Sequence, residues 1–151
     1  MATYGVGAAT AIAAELEREL GLDVSIESRP FEEHSNLLAS DTPDMWTLSW
    51  SADYPHVNDF LGLLLGSGSS ANLGGWSESD YDALIDAAAA TDDAAAQEQL
   101  YDEAQSIVRE QAPVIPLDYG SRWWLSRDGL RGAQLSGVGI QRYADLAWSD
   151  R

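Results

Sequence analysis

The sequence predicts an α/β fold, and three observations carry that prediction. Ile12, Leu16 and Leu20 recur at helical spacing and stop at Gly21. The segment Leu22-Asp23-Val24-Ser25-Ile26-Glu27-Ser28 then alternates apolar and polar. A second helical stretch is followed by the apolar run Met45-Trp46-Thr47-Leu48-Ser49-Trp50. Helix, strand, helix, strand is the rhythm of helices layered on a sheet. At 151 residues the chain is long enough for one domain or for part of a larger one.

Taken in order, Ala9 and Ala13 join Ile12, Leu16 and Leu20 on the inner face of the first helix, and Gly21 supplies its C-terminal stop. The half-buried strand that follows closes at Arg29-Pro30. Residues 31–39 form a short helix with Leu37 and Leu38 inward, Ser40-Asp41-Thr42-Pro43 is a loop, and Met45 to Trp50 is a buried strand. Residues 51–58 have loop composition, and 57–65 are apolar enough for a buried helix. The glycines and serines of 66–70 and Gly74-Gly75 are punctuation too short to separate two cores. Ser77-x-x-Asp80 and Ser79-x-x-Asp82 are capping-box candidates for a helix with Tyr81, Leu84, Ile85 and Ala88 inward. Asp92 or Asp93 caps the next helix, whose stripe is Leu100, Ala104, Ile107 and Val108, and Ala112-Pro113 ends it. Val114 to Tyr119 is expected as a strand, and Trp123-Trp124-Leu125 is a candidate for another.

The composition excludes several functions. With 25 acidic against 8 basic residues, all arginine, the formal charge is −17, which repels nucleic-acid backbones and anionic lipid. The absence of cysteine removes disulfides, thiolate metal sites and cysteine nucleophiles. No apolar run approaches the roughly 18 residues of a membrane span, and the N-terminus lacks the basic start of a signal peptide. No Gly-x-Ser-x-Gly elbow and no complete dinucleotide fingerprint occurs. With so many carboxylates, no pair of them singles out acid/base catalysis.

The densest chemistry lies in Trp50-Ser51-Ala52-Asp53-Tyr54-Pro55-His56-Val57-Asn58-Asp59-Phe60. An acid just past a predicted strand sits where α/β sheets bind ligands, and a carboxylate beside aromatics can hold a ligand ammonium by a charge-assisted hydrogen bond. From spacing alone, a cap for the turn before Pro55 is the favoured reading of Asp53. Asp53, His56 and Asp59 could be read as metal ligands, but with only two histidines a solvated loop histidine is the better expectation, and no metal or cofactor is expected. Of the six tryptophans, Trp46, Trp76, Trp123, Trp124 and Trp148 could form platforms for sugars or peptide side chains. Core packing is favoured for Trp46 and for at least one of Trp123 and Trp124.

The order of these segments resembles extracellular solute-binding protein family 5, the oligopeptide- and dipeptide-binding components of ABC importers. The resemblance runs through Ala9-x-x-Ile12-Ala13-x-x-Leu16, Leu20 to Val24, Asp44-Met45 and Ser49-Trp50-Ser51-Ala52-Asp53-Tyr54-Pro55. It continues through Gly75-Trp76-Ser77-x-x-Asp80-Tyr81-Asp82-x-Leu84-Ile85, Leu100 to Val108, and Ala112-Pro113-Val114-Ile115-Pro116-Leu117. It covers about residues 8 to 132. The resemblance implies one lobe of a type II periplasmic-binding-protein-like fold, a mixed sheet flanked by helices and lacking the first lobe. Residues 1–122 would be most of the second lobe, and 123–151 a return segment toward the hinge. It implies a non-enzymatic, extracytoplasmic receptor half, its signal sequence outside this chain, that delivers a peptide or similar small solute to a permease. By the same resemblance Asp53 pairs with the ligand's α-amino group, Trp50 lines the pocket and Ser51 offers backbone hydrogen bonds. The loop His56-Val57-Asn58-Asp59-Phe60 departs from the family's usual Asp-Pro-Asp-Asn-Phe. The alternative from another class is a carbohydrate-active enzyme domain or sugar-binding module built on tryptophan platforms. In the return segment, Trp124, Leu125, Leu130, Leu135, Val138, Ile140, Leu146 and Trp148 would lack their native partner. The charge of −17 opposes self-association, so the tail is expected to fold back on its own lobe and to support a dimer only at high salt.

Overall fold

In a computed structural model that describes residues 1–121, 123–134 and 136–149, the chain passes through two units. The first comprises residues 1–50 with 73–75, and the second comprises residues 51–72 with 76 onward.

In the first unit, strand β1 (Ala2–Thr3) is joined by helix α1 (Val6–Leu20) to strand β2 (Glu27–Ser28), and helix α2 (Phe31–Ser40) follows. β1 and β2 are parallel, with Ala2 opposite Glu27 and Thr3 opposite Ser28, and a single parallel bridge links Ala2 to Trp46. A parallel pair needs a crossover, which α1 provides. Of the strands predicted at 22–28 and 45–50, the first is reduced to Glu27–Ser28 and the second to the single bridge at Trp46, both against the two-residue β1. Gly21 ends α1 in the left-handed region at φ 66°, and its N–H and that of Leu22 return to the carbonyls of Glu17 and Leu16. Glu32 and Glu33 occupy the first turn of α2, where carboxylates suit the helix dipole. Leu38 is buried as the pattern predicts. His34 is fully buried: its Nε2 bonds the Thr47 carbonyl at 2.8 Å, and its ring lies 5.5 Å from that of Tyr4. A hydrogen bond makes such burial tolerable.

In the second unit, a 3-10 turn (Val57–Asp59) leads into helix α3 (Leu61–Leu65), followed by α4 (Ser79–Ala90) and α5 (Ala94–Gln111). Their core is Leu61, Leu65, Tyr81, Ile85, Ala88, Tyr101 and Ala104, with Trp76, Leu84, Leu100, Ile107 and Val108 packed against it. Ala88 and Ala104 are fully buried, and their small side chains let α4 and α5 approach closely. The cap of α4 is Glu78 rather than Ser77 or Ser79, because its carboxylate accepts the Asp80 N–H. Asp93 caps α5 through the N–H groups of Ala95 and Ala96. The Gly-Ser punctuation is held by Asn72, whose Nδ2 donates to the Trp76 carbonyl at 2.7 Å.

Beyond α5 the structure departs from expectation. Residues 114–119 and 123–125 form no strand, and both Trp123 (94% exposed) and Trp124 (52%) lie outside the core. A strand forms only where a neighbour accepts its ladder, and none of the described residues pairs with this segment. The tail does fold on itself: strand β3 (Leu130–Arg131) is antiparallel to strand β4 (Ala147–Trp148). Gly132, at φ 74°, leaves the space that the Asp145 carbonyl occupies. Arg122, Leu135, Asp150 and Arg151 lie outside the described residues, and with them the boundary expected at 122. No described helix is long and apolar enough to cross a membrane.

Candidate functional site

Trp50, half-buried, is the last residue of the first unit's long segment, while Ser51 and Asp53 open the second unit. Ser51 and Asp53 are exposed and share one loop.

That loop is held from below. The Asp53 N–H donates to Oδ2 of Asp59 at 3.2 Å, and Asp59 is fully buried. Asp59 is carried by the 3-10 turn, which His56 caps: the Asn58 N–H donates to His56 Nδ1 at 3.1 Å, and the Asp59 N–H to the His56 carbonyl at 3.1 Å. With Nδ1 accepting, the imidazole proton sits on Nε2, which donates to Gln97 Oε1 on α5 at 3.2 Å. Gln97 is itself fixed, its Nε2 donating to the Ala88 carbonyl. Asn58 donates from Nδ2 to the Tyr54 hydroxyl at 3.1 Å and accepts from the Tyr101 hydroxyl at 3.4 Å. The Tyr101 ring stands edge-on to His56, 5.7 Å away.

Burial deepens beneath the loop. Tyr81, on α4, donates its hydroxyl to the Leu61 carbonyl at 2.8 Å and packs edge-on against Trp76 with centroids 4.8 Å apart. Burial first and the nearby Asp82 charge second push its phenol well above the ordinary tyrosine range. Burial likewise raises the Tyr101 phenol, with Tyr54 adding to it. Both hydroxyls therefore remain protonated donors at neutral pH. Glu78 is held below the usual carboxylate range, chiefly by the Gln111 side chain and then by the Asp80 N–H.

The metal reading of Asp53, His56 and Asp59 is not supported: both His56 nitrogens are engaged, and no group of three or more acids and histidines among the described residues could hold an ion. An exposed carboxylate on a pinned backbone can instead meet an external cation or donor. Sequence reasoning left out Gln97 and Tyr101, which lie some forty positions from the loop and meet it only after folding, and it gave Asn58 no role of its own. It considered Asp59 only in the metal reading, which it set aside.

Against known proteins, no protein-family model matches the chain. It is 32% identical over 111 residues to the probable deoxycholate-binding periplasmic protein YgiS of Escherichia coli, covering 74% of this chain and 21% of that one. It is 28% identical over 146 residues to the dipeptide-binding protein DppE of Bacillus subtilis, covering 95% of this chain and 26% of that one. Among solved structures, the dipeptide-binding protein of Pseudoalteromonas sp. SM9913 in complex with Met-Leu superposes with a TM-score of 0.80 at 28% identity, over 94% of this chain and 28% of that one. OppA of Burkholderia pseudomallei matches the fold at 22% identity, over 99% of this chain, with a TM-score of 0.83. The chain spans only about a quarter of the length of the relatives it matches. Those relatives are binding proteins rather than enzymes, which leaves the carbohydrate-active alternative without support. In sequence and in fold, this chain belongs to extracellular solute-binding protein family 5.

Proposed function

We propose that this chain forms the ligand-binding half of a two-lobed extracytoplasmic receptor that hands short peptides to an ABC permease. Residues 1–122 make most of the second lobe, and 123–151 return toward the hinge. Asp53 holds the peptide's α-amino group, Trp50 lines the pocket and Ser51 contributes backbone hydrogen bonds. The observation that carries this reading is the exposed Asp53 carboxylate on a loop whose backbone is fixed by Asp59. A carboxylate aimed by its scaffold needs little reordering to meet an ammonium group. In water at an effective dielectric near 80 the pair gains only about 1 kcal/mol at 4 Å, and several-fold more once a second lobe excludes solvent.

The chain alone is therefore expected to bind weakly. NMR titration with Met-Leu and with N-acetyl-Met-Leu tests the reading. Free-amine peptide should shift the amides of residues 51–53, the acetylated peptide should not, and Asp53→Asn should abolish the difference. Equal shifts from both peptides, or none from either at about 10 mM, roughly the −3 kcal/mol level of affinity, would remove the amine anchor. A dissociation constant below about 1 μM for the chain alone would overturn the half-site reading.

A further inference from the structure

We propose that Asp59 is the positioning residue of the binding loop: its buried carboxylate sets the backbone at Asp53 and so the direction in which the Asp53 side chain meets a ligand amine. The role at the ligand rests on the proposed function, but the effect on the loop does not.

A fully buried carboxylate is an unusual choice in a chain already carrying −17. Burying a charge costs free energy unless hydrogen bonds compensate it, so a carboxylate at this point needs donors. Here one donor is the Asp53 N–H, at 3.2 Å from Oδ2. The bond closes a six-residue excursion that contains Pro55 and brings the exposed residue back onto the helical body. A charged acceptor makes such a bond stronger than a neutral one.

Asp59 is itself rigidly placed. Its own N–H donates to the His56 carbonyl, the Phe60 N–H donates to the Val57 carbonyl at 3.0 Å, and the next residue, Leu61, lies in the core under the Tyr81 hydroxyl. His56 ties the same turn to Gln97 on α5. Position is thus transmitted from α4 and α5 to the turn, from the turn to Asp59, and from Asp59 to Asp53. The two acids divide the labour by burial. The exposed one is free to touch a ligand, and the buried one cannot reach it but fixes the backbone that carries it. Asp59 is therefore no second anchor.

The test compares wild type with Asp59→Ala and Asp59→Asn. The first readout is hydrogen exchange and the chemical shift of the Asp53 amide. Asp59→Ala should exchange this amide at least about tenfold faster, the scale of one hydrogen bond to a charged group, while the core amides of α4 and α5 are unchanged. Asp59→Asn keeps an oxygen acceptor and should restore most of the protection, with a smaller downfield shift. An Asp53 amide with unchanged exchange and shift in Asp59→Ala would overturn the proposal. If that variant does not fold, an Asp53 amide in Asp59→Asn identical to wild type would do so, because a neutral acceptor must weaken the bond. The second readout is the preference for Met-Leu over N-acetyl-Met-Leu. It should fall about tenfold in Asp59→Ala and recover in Asp59→Asn, whereas a purely structural lesion would weaken both peptides alike and would refute a role in aiming Asp53. A wild type with no preference would remove the amine anchor, and the exchange readout would still decide whether Asp59 sets the loop.

Discussion

Removing the Tyr81 hydroxyl tests how the helical body supports the loop. Tyr81 is fully buried, and its hydroxyl bonds the Leu61 carbonyl at 2.8 Å, two residues beyond Asp59. Tyr81→Phe keeps the ring against Trp76 but takes one partner from a buried hydrogen bond, so unfolding free energy at pH 7 should fall by about 1–3 kcal/mol. The variant should also change the alkaline limb. Burial raises the phenol above its ordinary 10.0, so the native state keeps a proton that the unfolded chain gives up. The associated stability is whole below pH 10.0 and is lost as pH rises toward the higher native value, at about 1.4 kcal/mol per unit for this one group. Urea unfolding followed by far-UV circular dichroism at pH 7, 10 and 11 measures both effects. Wild type should weaken steeply above pH 10 and Tyr81→Phe less so, the remaining slope coming from Tyr101, whose phenol is also raised. Equal slopes in the two proteins would refute the claim that Tyr81 is shielded, and a neutral-pH loss under about 0.5 kcal/mol would refute the value assigned to its hydrogen bond.

Three further outcomes are expected. Glu78 should titrate below 4.5 by carbon-13 NMR, and Gln111→Leu should raise its midpoint; its stabilising contacts are present above the ordinary value and are lost as pH falls through the lowered one, so an unmoved midpoint would dismiss the Gln111 bond as the cause. Gly62→Ala would set a methyl group into the Asn58 side chain, displacing it from Tyr54 and Tyr101 and costing about 1–3 kcal/mol; unaltered Tyr101 and Asn58 signals would show that the space is not needed. Asp93→Ala should lose the cap on Ala95 and Ala96 and about 1 kcal/mol by thermal or urea unfolding, and a neutral result would assign the start of α5 to packing alone.

What was legible in the sequence was local. The first helix with its stop at Gly21, the inward set Tyr81, Ile85 and Ala88, and the Asp93 cap each depend on residues within a turn or two of one another, and each is present, although Leu20, expected on the inner face of the first helix, is 65% exposed. Strand length was not legible, because a ladder is decided by the neighbour: residues 22–28 alternate throughout, yet only Glu27 and Ser28 pair. The burial of His34 escaped for the same reason, its partner being the Thr47 carbonyl, thirteen residues away. At the candidate site the motif around Asp53 was visible as a string of residue types. Its support was not, because Gln97 and Tyr101 reach the loop from α5 across some forty positions of sequence.

After α5, local pattern and burial part company. Ile115, Leu117 and Tyr119 alternate with Pro116 and Asp118, the pattern of a strand with one apolar face, yet they are 76%, 54% and 98% exposed. Local propensity has specified an extended segment, and no described strand completes it. Burying such side chains is worth about 1.5–3 kcal/mol each, so the pattern represents a large unrealised stabilisation. A second copy is a poor occupant, since pairing two chains of −17 sets their charges against each other. A sheet edge with an apolar layer beside it would satisfy both the apolar face and the backbone of this segment.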